Sequence, residues 1–148
     1  MNNLVEFYQF VKDFADRHMM VNEFLVLGNE DELESLDPGP RVLVMIPLSS
    51  DISREAGRPI YTVEFLLLVA DKADENDELQ LLSSTEENIF VVAQLQDYIQ
   101  QETKDAEFGI IDIVNQIRDD YNITSAYTRF TMLFHRKKYG QPINLIED

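Results

Sequence analysis

Residues 60–71, IYTVEFLLLVAD, constrain this chain more than any other stretch. β-Branched and aromatic side chains dominate the run, and such residues fit the pleated, half-buried surface of a strand. Side chains alternate across a strand, so Tyr61, Val63, Phe65, Leu67 and Val69 share one face, while Ile60, Thr62, Glu64, Leu66, Leu68 and Ala70 share the other. The first face is apolar throughout. The second begins half polar and turns apolar, so the strand passes from a region covered on one side into one covered on both. It reads as an interior strand of a sheet, and the remaining chain has to supply its covers.

Taken in order, those covers are legible as hydrophobic periodicities. Residues 3–19 form an amphipathic helix, with Leu4, Phe7, Tyr8, Val11, Phe14, Ala15 and His18 at helical spacing and Asn2 or Asn3 as its cap. Phe10 lies outside that narrow stripe, so the apolar face is either wide or partly reserved for a partner. Residues 23–27 are a short strand closed by Gly28-Asn29. An acidic segment, residues 29–36, then runs into Asp37-Pro38-Gly39-Pro40, a dense turn signal. Residues 42–47 are a second strand. The polar residues 49–59, carrying Arg54 and Arg58, read as a connection longer than a tight hairpin requires. After an acidic loop at residues 71–78, Ser83 with Glu86 and Ser84 with Glu87 offer overlapping capping boxes for a second helix, whose stripe is Val91, Val92, Leu95, Tyr98 and Ile99. Residues 108–117 and 123–134 read as an antiparallel hairpin, with Ala126, Thr128, Phe130, Met132 and Phe134 on one face. The order α-β-β-β-α-β-β predicts an α+β fold: an antiparallel sheet of about five strands with two main helices on one face.

Composition limits the classes of function open to such a fold. A length of 148 residues with 45% hydrophobic side chains fits a single domain, residues 1–148, able to bury a core without disulfides or metal. The 28 acidic against 12 basic residues give a net charge of -16, which argues against phosphate-contacting nucleic-acid binders and against anionic membrane surfaces. With no cysteine, disulfides, thiolate metal sites and Cys nucleophiles are excluded together. Residues 1–7 lack a basic segment followed by an apolar run, and the apolar run at residues 65–70 is far too short to span a bilayer, so a cytosolic or assembled soluble protein is expected.

Chemistry-bearing constellations are weak throughout. As a calcium loop, residues 71–78 fail in both frames: from Asp71 the third position is Ala73, and from Asp74 the sixth is Leu79 and the twelfth Thr85. His18 and His135 stand far apart without metal-ligand spacing, and His18, near a helix C-terminus, reads as a cation facing the helix dipole. Ser49 and Ser50 lack a nucleophile-elbow motif, and the five glycines form no phosphate loop. The expectation is a protein that is not an enzyme and holds no cofactor or metal. The candidate contact residues are Arg54 and Arg58 in the polar connection, Asp74 and Asp77 in the acidic loop, and Arg136, Lys137, Lys138 and Tyr139 in a basic segment, residues 136–148, that reads as a docking tail. Basic tail against acidic loop would give an association that salt weakens.

Several of these phrases together carry a family resemblance. The short helix, the strands at 42–47 and 61–71, the acidic loop, Leu82-Ser83-Ser84-Thr85 opening a helix, and the closing Tyr121-Asn122-Ile123-Thr124-Ser125-Ala126-Tyr127-Thr128-Arg129-Phe130 resemble small tail-completion proteins of bacteriophages. The likeness is closest to the tail-terminator and neck type of phages of gut Bacteroidetes. It implies an α+β subunit that assembles, typically as a hexamer, into a ring at the head-proximal end of the tail or within a neck or portal-associated ring. It implies no catalytic residue. Partners would be copies of the chain and other tail, neck or portal proteins, and the location would be the virion, assembled in the host cytoplasm. Acidic loops facing the lumen of such a ring would repel DNA. A second reading is an acidic adaptor or DNA-mimic protein that binds a basic partner, but its carboxylates should spread along one face rather than concentrate in two loops.

Overall fold

The computed structural model describes residues 3–55, 58–74, 76–118 and 121–135. Its first element, α1 (Leu4–Arg17), starts where expected because the Asn3 side chain accepts the Glu6 N–H at 2.8 Å. Phe7, Val11, Phe14 and Ala15 are buried, and Phe10 stacks on Tyr98 at 4.4 Å, so the apolar face is indeed wide. His18 is the C-cap of the helix, as its position near the C-terminus implied. Its Nδ1 accepts the N–H of Met20 at 3.1 Å while Nε2 lies 2.6 Å from Gln94 Oε1. These two contacts tie the end of the helix to the residue after its turn and to Gln94.

The strands are β1 (Glu23–Val26), β2 (Val42–Glu55), β3 (Arg58–Asp74), β4 (Ala106–Arg118) and β5 (Tyr121–His135), with α2 (Glu78–Glu102) between β3 and β4. They form one five-stranded sheet in the order β1-β2-β3-β5-β4, so the 60–71 run sits in the central strand. The fold is α+β with both helices against one face, as the sequence implies. The sheet is mixed, however, where an antiparallel one was expected: β1 runs parallel to β2. The reason lies in the 27–41 connection, which crosses the second face through a 3₁₀ segment (Glu30–Ser35) and returns to the same end of the sheet. A crossover of that length permits parallel pairing, which a tight turn forbids.

Three further expectations give way. Residues 49–55 and 58–59 are strand and not a loop: β2 shifts register between Pro47 and Ser49, then continues to Glu55, which pairs with Arg58. β3 runs on through Asp71 to Asp74, so the acidic loop is shorter than the sequence suggests. Helix α2 begins at Glu78, capped by Asp77, whose side chain accepts the Gln80 N–H at 3.0 Å, while Ser84 lies inside the helix and is buried. The expected capping boxes at Ser83 and Ser84 are therefore interior turns.

The helix face holds the main core. Phe7 of α1 meets Phe65, Phe130 and Phe134 with ring centroids 5.0, 5.7 and 6.2 Å away, and α2 adds Val91, Val92, Leu95 and Ile99 over Leu67, Val69, Ala126 and Met132. Burying each such side chain contributes about 1.5–3 kcal/mol. On the second face Val42, Val44, Ile46, Leu66, Leu68, Ala70 and Ile123 form a smaller cluster, roofed by Leu33 and Leu36 of the crossover. This is the two-sided part of the central strand; nearer its start Thr62 and Glu64 are half-buried, while Ile60 is buried.

Candidate assembly surfaces

The length of β3 separates two chemically different ends. Arg58 to Asp74 spans roughly 53 Å at ~3.3 Å per residue. Arg54 pairs in the backbone register with Pro59, and Glu55 with Arg58, at one end of the β2–β3 pair. His135 pairs with Ile60, so β5 ends beside the same hairpin, 3.6 Å from Asp105 through its Nε2. Arg136, Lys137, Lys138 and Tyr139 lie outside the described residues. Asp74 and Asp77 sit at the opposite end, where both do local work: Asp74 Oδ1 accepts the Asn76 N–H at 2.9 Å, and Asp77 caps α2. The chain thus brings Arg54 and Arg58 together at one end and Asp74 and Asp77 at the other.

The same acidic end contains a polar cluster with no sequence forewarning. Arg41, the residue before β2, is buried among acceptors. Its Nε donates to Asn88 Oδ1 at 2.8 Å, Nη2 to Asp71 Oδ2 at 3.0 Å and Nη1 to Glu87 Oε2 at 3.3 Å. Ser84 Oγ donates to Asp71 at 3.3 Å, and Asn88 Nδ2 donates to the Thr124 carbonyl at 3.0 Å. One guanidinium therefore links β2, β3, β5 and α2. Every buried side-chain polar atom among the described residues has a partner, so the cluster fastens the helix and offers no open valence to a ligand.

Open ground lies at the sheet edges. Beside α1, where β1 stops at Val26, a hollow of about 360 Å³ is lined by Leu4, Val5, Tyr8, Val26, Met45, Pro47 and Phe65, none of them charged. Pro47, without an N–H, fits a stretch of β2 that has lost its outer neighbour. At the far edge, β4 leaves Ile110, Ile113, Val114 and Ile117 exposed, with Asp112 as the one charge among residues 109–117. Edge strands are normally blunted by charge, proline or cover, and β4 has little of these. Its irregularity is a bulge between Phe108 and Ile111, where a Cβ on Gly109 would come within 3.1 Å of the Arg129 carbonyl. On the second face a groove of about 210 Å³ runs between the crossover and β4 over Leu66, Leu68 and Ile123, with the Arg129–Glu30 ion pair (3.2 Å) among its lining residues.

Among the described residues no group of three or more His, Cys, Asp or Glu could hold a metal ion, and no helix is long and apolar enough to cross a membrane. Compared with known proteins, the chain matches no family model and no curated protein. The features that sequence reasoning missed, Arg41 and the β4 edge, differ in kind. The β4 isoleucines were visible as a strand, and their alternation with Ile110, Asp112, Val114 and Gln116 hinted that both faces carry apolar residues. Arg41 had no local signal, because its carboxylate partners are 30 and 46 residues away.

Proposed function

We propose that this chain is a non-enzymatic structural subunit of a bacteriophage virion, assembling with copies of itself into a ring at the tail or neck and joining tail or portal components there. The observation that carries the reading is the pair of apolar patches at the sheet edges, an uncharged hollow at one and a β4 stretch with Asp112 as its one charge at the other, on a chain of net charge -16. A subunit that functions alone gains nothing from them, whereas a ring subunit needs two contact surfaces facing opposite neighbours. The phrases that resemble tail-completion proteins support the same reading. In such a ring the edges meet sideways, leaving the arginine-bearing hairpin end and the acidic end free to face the components above and below.

Sedimentation over a range of protein concentration and salt, followed by negative-stain imaging, tests this. Annular particles are expected. A chain that stays monomeric throughout and also fails to bind purified phage tails overturns the proposal.

A further inference from the structure

β1 ends the sheet on the side away from β4, and its side chains divide between the two faces. Phe24 packs into the helix-face core, while Leu25 and Leu27 pack against the second-face cluster, and by the same alternation Glu23 shares their side. The crossover passes beside this strand, and between the two lies a further groove, of about 460 Å³. Its apolar lining is Leu25, Leu27, Leu36, Pro38 and Val42; its charged lining is Glu23, Glu32 and Asp37, with no cation among them. Asp37 is answered by Lys72 at 2.8 Å. Glu23 and Glu32 are exposed and form no ion pair among the described residues. Glu32 Oε1 stands 3.4 Å from where a Cβ on Gly28 would be, so one carboxylate lies beyond Leu27 and the other before Leu25.

We infer that this groove takes an extended, basic segment of a different protein, with aliphatic side chains over Leu25 and Leu27 and a lysine or arginine at each end, beside Glu23 and Glu32. An apolar floor between carboxylates suits side chains whose stems are aliphatic and whose heads are cationic. It does not suit a metal ion, since no group of three or more His, Cys, Asp or Glu among the described residues could hold one. The net charge of -16 repels a second acidic copy and draws a basic partner, which speeds encounter and sets partner choice. Among the described residues β1 has no strand on its outer side, so its backbone there can pair with a segment laid beside it. An extended segment repeats its side chains on one face every two residues, roughly 6.6 Å, the interval at which Glu23, Leu25 and Leu27 stand. The inference goes beyond the ring reading and does not depend on it, because the groove lies within one subunit.

The probe is a fluorescein-labelled peptide, Lys-Ser-Leu-Ser-Leu-Ser-Lys, titrated against the full-length chain at low salt and followed by fluorescence anisotropy. Saturable binding at one site per chain is expected, with a Kd that rises as salt is added. Replacing both leucines of the peptide by serine should weaken binding about tenfold or more, through the lost apolar contact. In the protein, Glu23→Gln combined with Glu32→Gln should weaken it about tenfold, the effect of two exposed ion pairs. Asp97→Asn combined with Glu102→Gln removes the same charge from exposed positions of α2 and should leave the Kd unchanged. Circular dichroism first verifies that both variants fold. A peptide that fails to bind, or that loses as much affinity to the α2 pair as to the groove pair, overturns the inference. A peptide of residues 136–148 that binds in the groove more tightly than the probe overturns the assignment to a different protein and gives the place to the chain's own basic segment. None of these readings depends on oligomeric state, so their failure is distinct from failure of the ring.

Discussion

Leu67 and Ile110 are both large apolar residues on long strands of one sheet, yet solvent reaches 0% of the first and 76% of the second. Leu67 sits in the central strand under α2, among side chains that fill the space on every side. Ile110 sits on an edge strand at a bulge held close to β5 by Gly109. The interior half of the comparison is explained by folding: removing apolar area from water is the main favourable contribution, and the helix face uses it fully. The edge half is not, since an isoleucine exposed in the monomer gives the monomer almost nothing. The difference separates the apolar residues that the fold of the subunit covers from those it leaves exposed, which the proposed assembly would use.

Substitutions can break that distinction or sharpen it. The largest effect is expected at the center: Leu67→Ala leaves a void beneath α2 and should cost about 3–4 kcal/mol in urea unfolding. Nearly as large is Arg41→Met, about 3 kcal/mol, because Asp71 and Glu87 lose their guanidinium while Asn88 loses its donor. Adding Asp71→Asn to that variant should recover part of the loss, and a strictly additive double mutant would show that the cluster is not coupled. Asp77→Ala should cost about 1 kcal/mol and Ser83→Ala less than half of that, a ratio that separates the observed cap from the one the sequence suggests. Smallest for stability is Ile110→Ala, within about 0.5 kcal/mol, although the same change should weaken self-association by about 1–2 kcal/mol measured by sedimentation. An Ile110→Ala variant as destabilised as Leu67→Ala would erase the distinction altogether.

What the sequence revealed follows the same division. The two faces of the central strand were legible because period-two alternation is strong wherever one face is fully buried, and the α1 stripe was legible for the analogous helical reason. The extension of β2 through residues 49–55 was not, because Ile52 is its one large apolar residue and solvent reaches it, so no alternation marks the strand. The start of α2 was placed late because Ser83 and Ser84 precede glutamates at the right spacing, whereas the Asp77-Glu78-Leu79-Gln80 start lies in a segment that reads as an acidic loop. Parallel pairing of β1 depends on where a 15-residue connection returns, and no local pattern encodes that. Of the candidate contact residues, Asp74 and Asp77 proved to be engaged in turn and cap geometry, Arg54 and Arg58 to belong to a hairpin, and the edges that carry the assembly reading were legible only as strands. A strand's sequence states that it is apolar on both faces; only the strand order states that one side of it has no neighbour.

Native mass spectrometry of the full-length chain at high protein concentration addresses the head-to-tail ring most directly. A heterologous contact that closes predicts one dominant species at a single integer multiple of the subunit mass, with no ladder above it. An isologous dimer that grows no further, or a continuous series of open-ended oligomers, would contradict closure through the two edges.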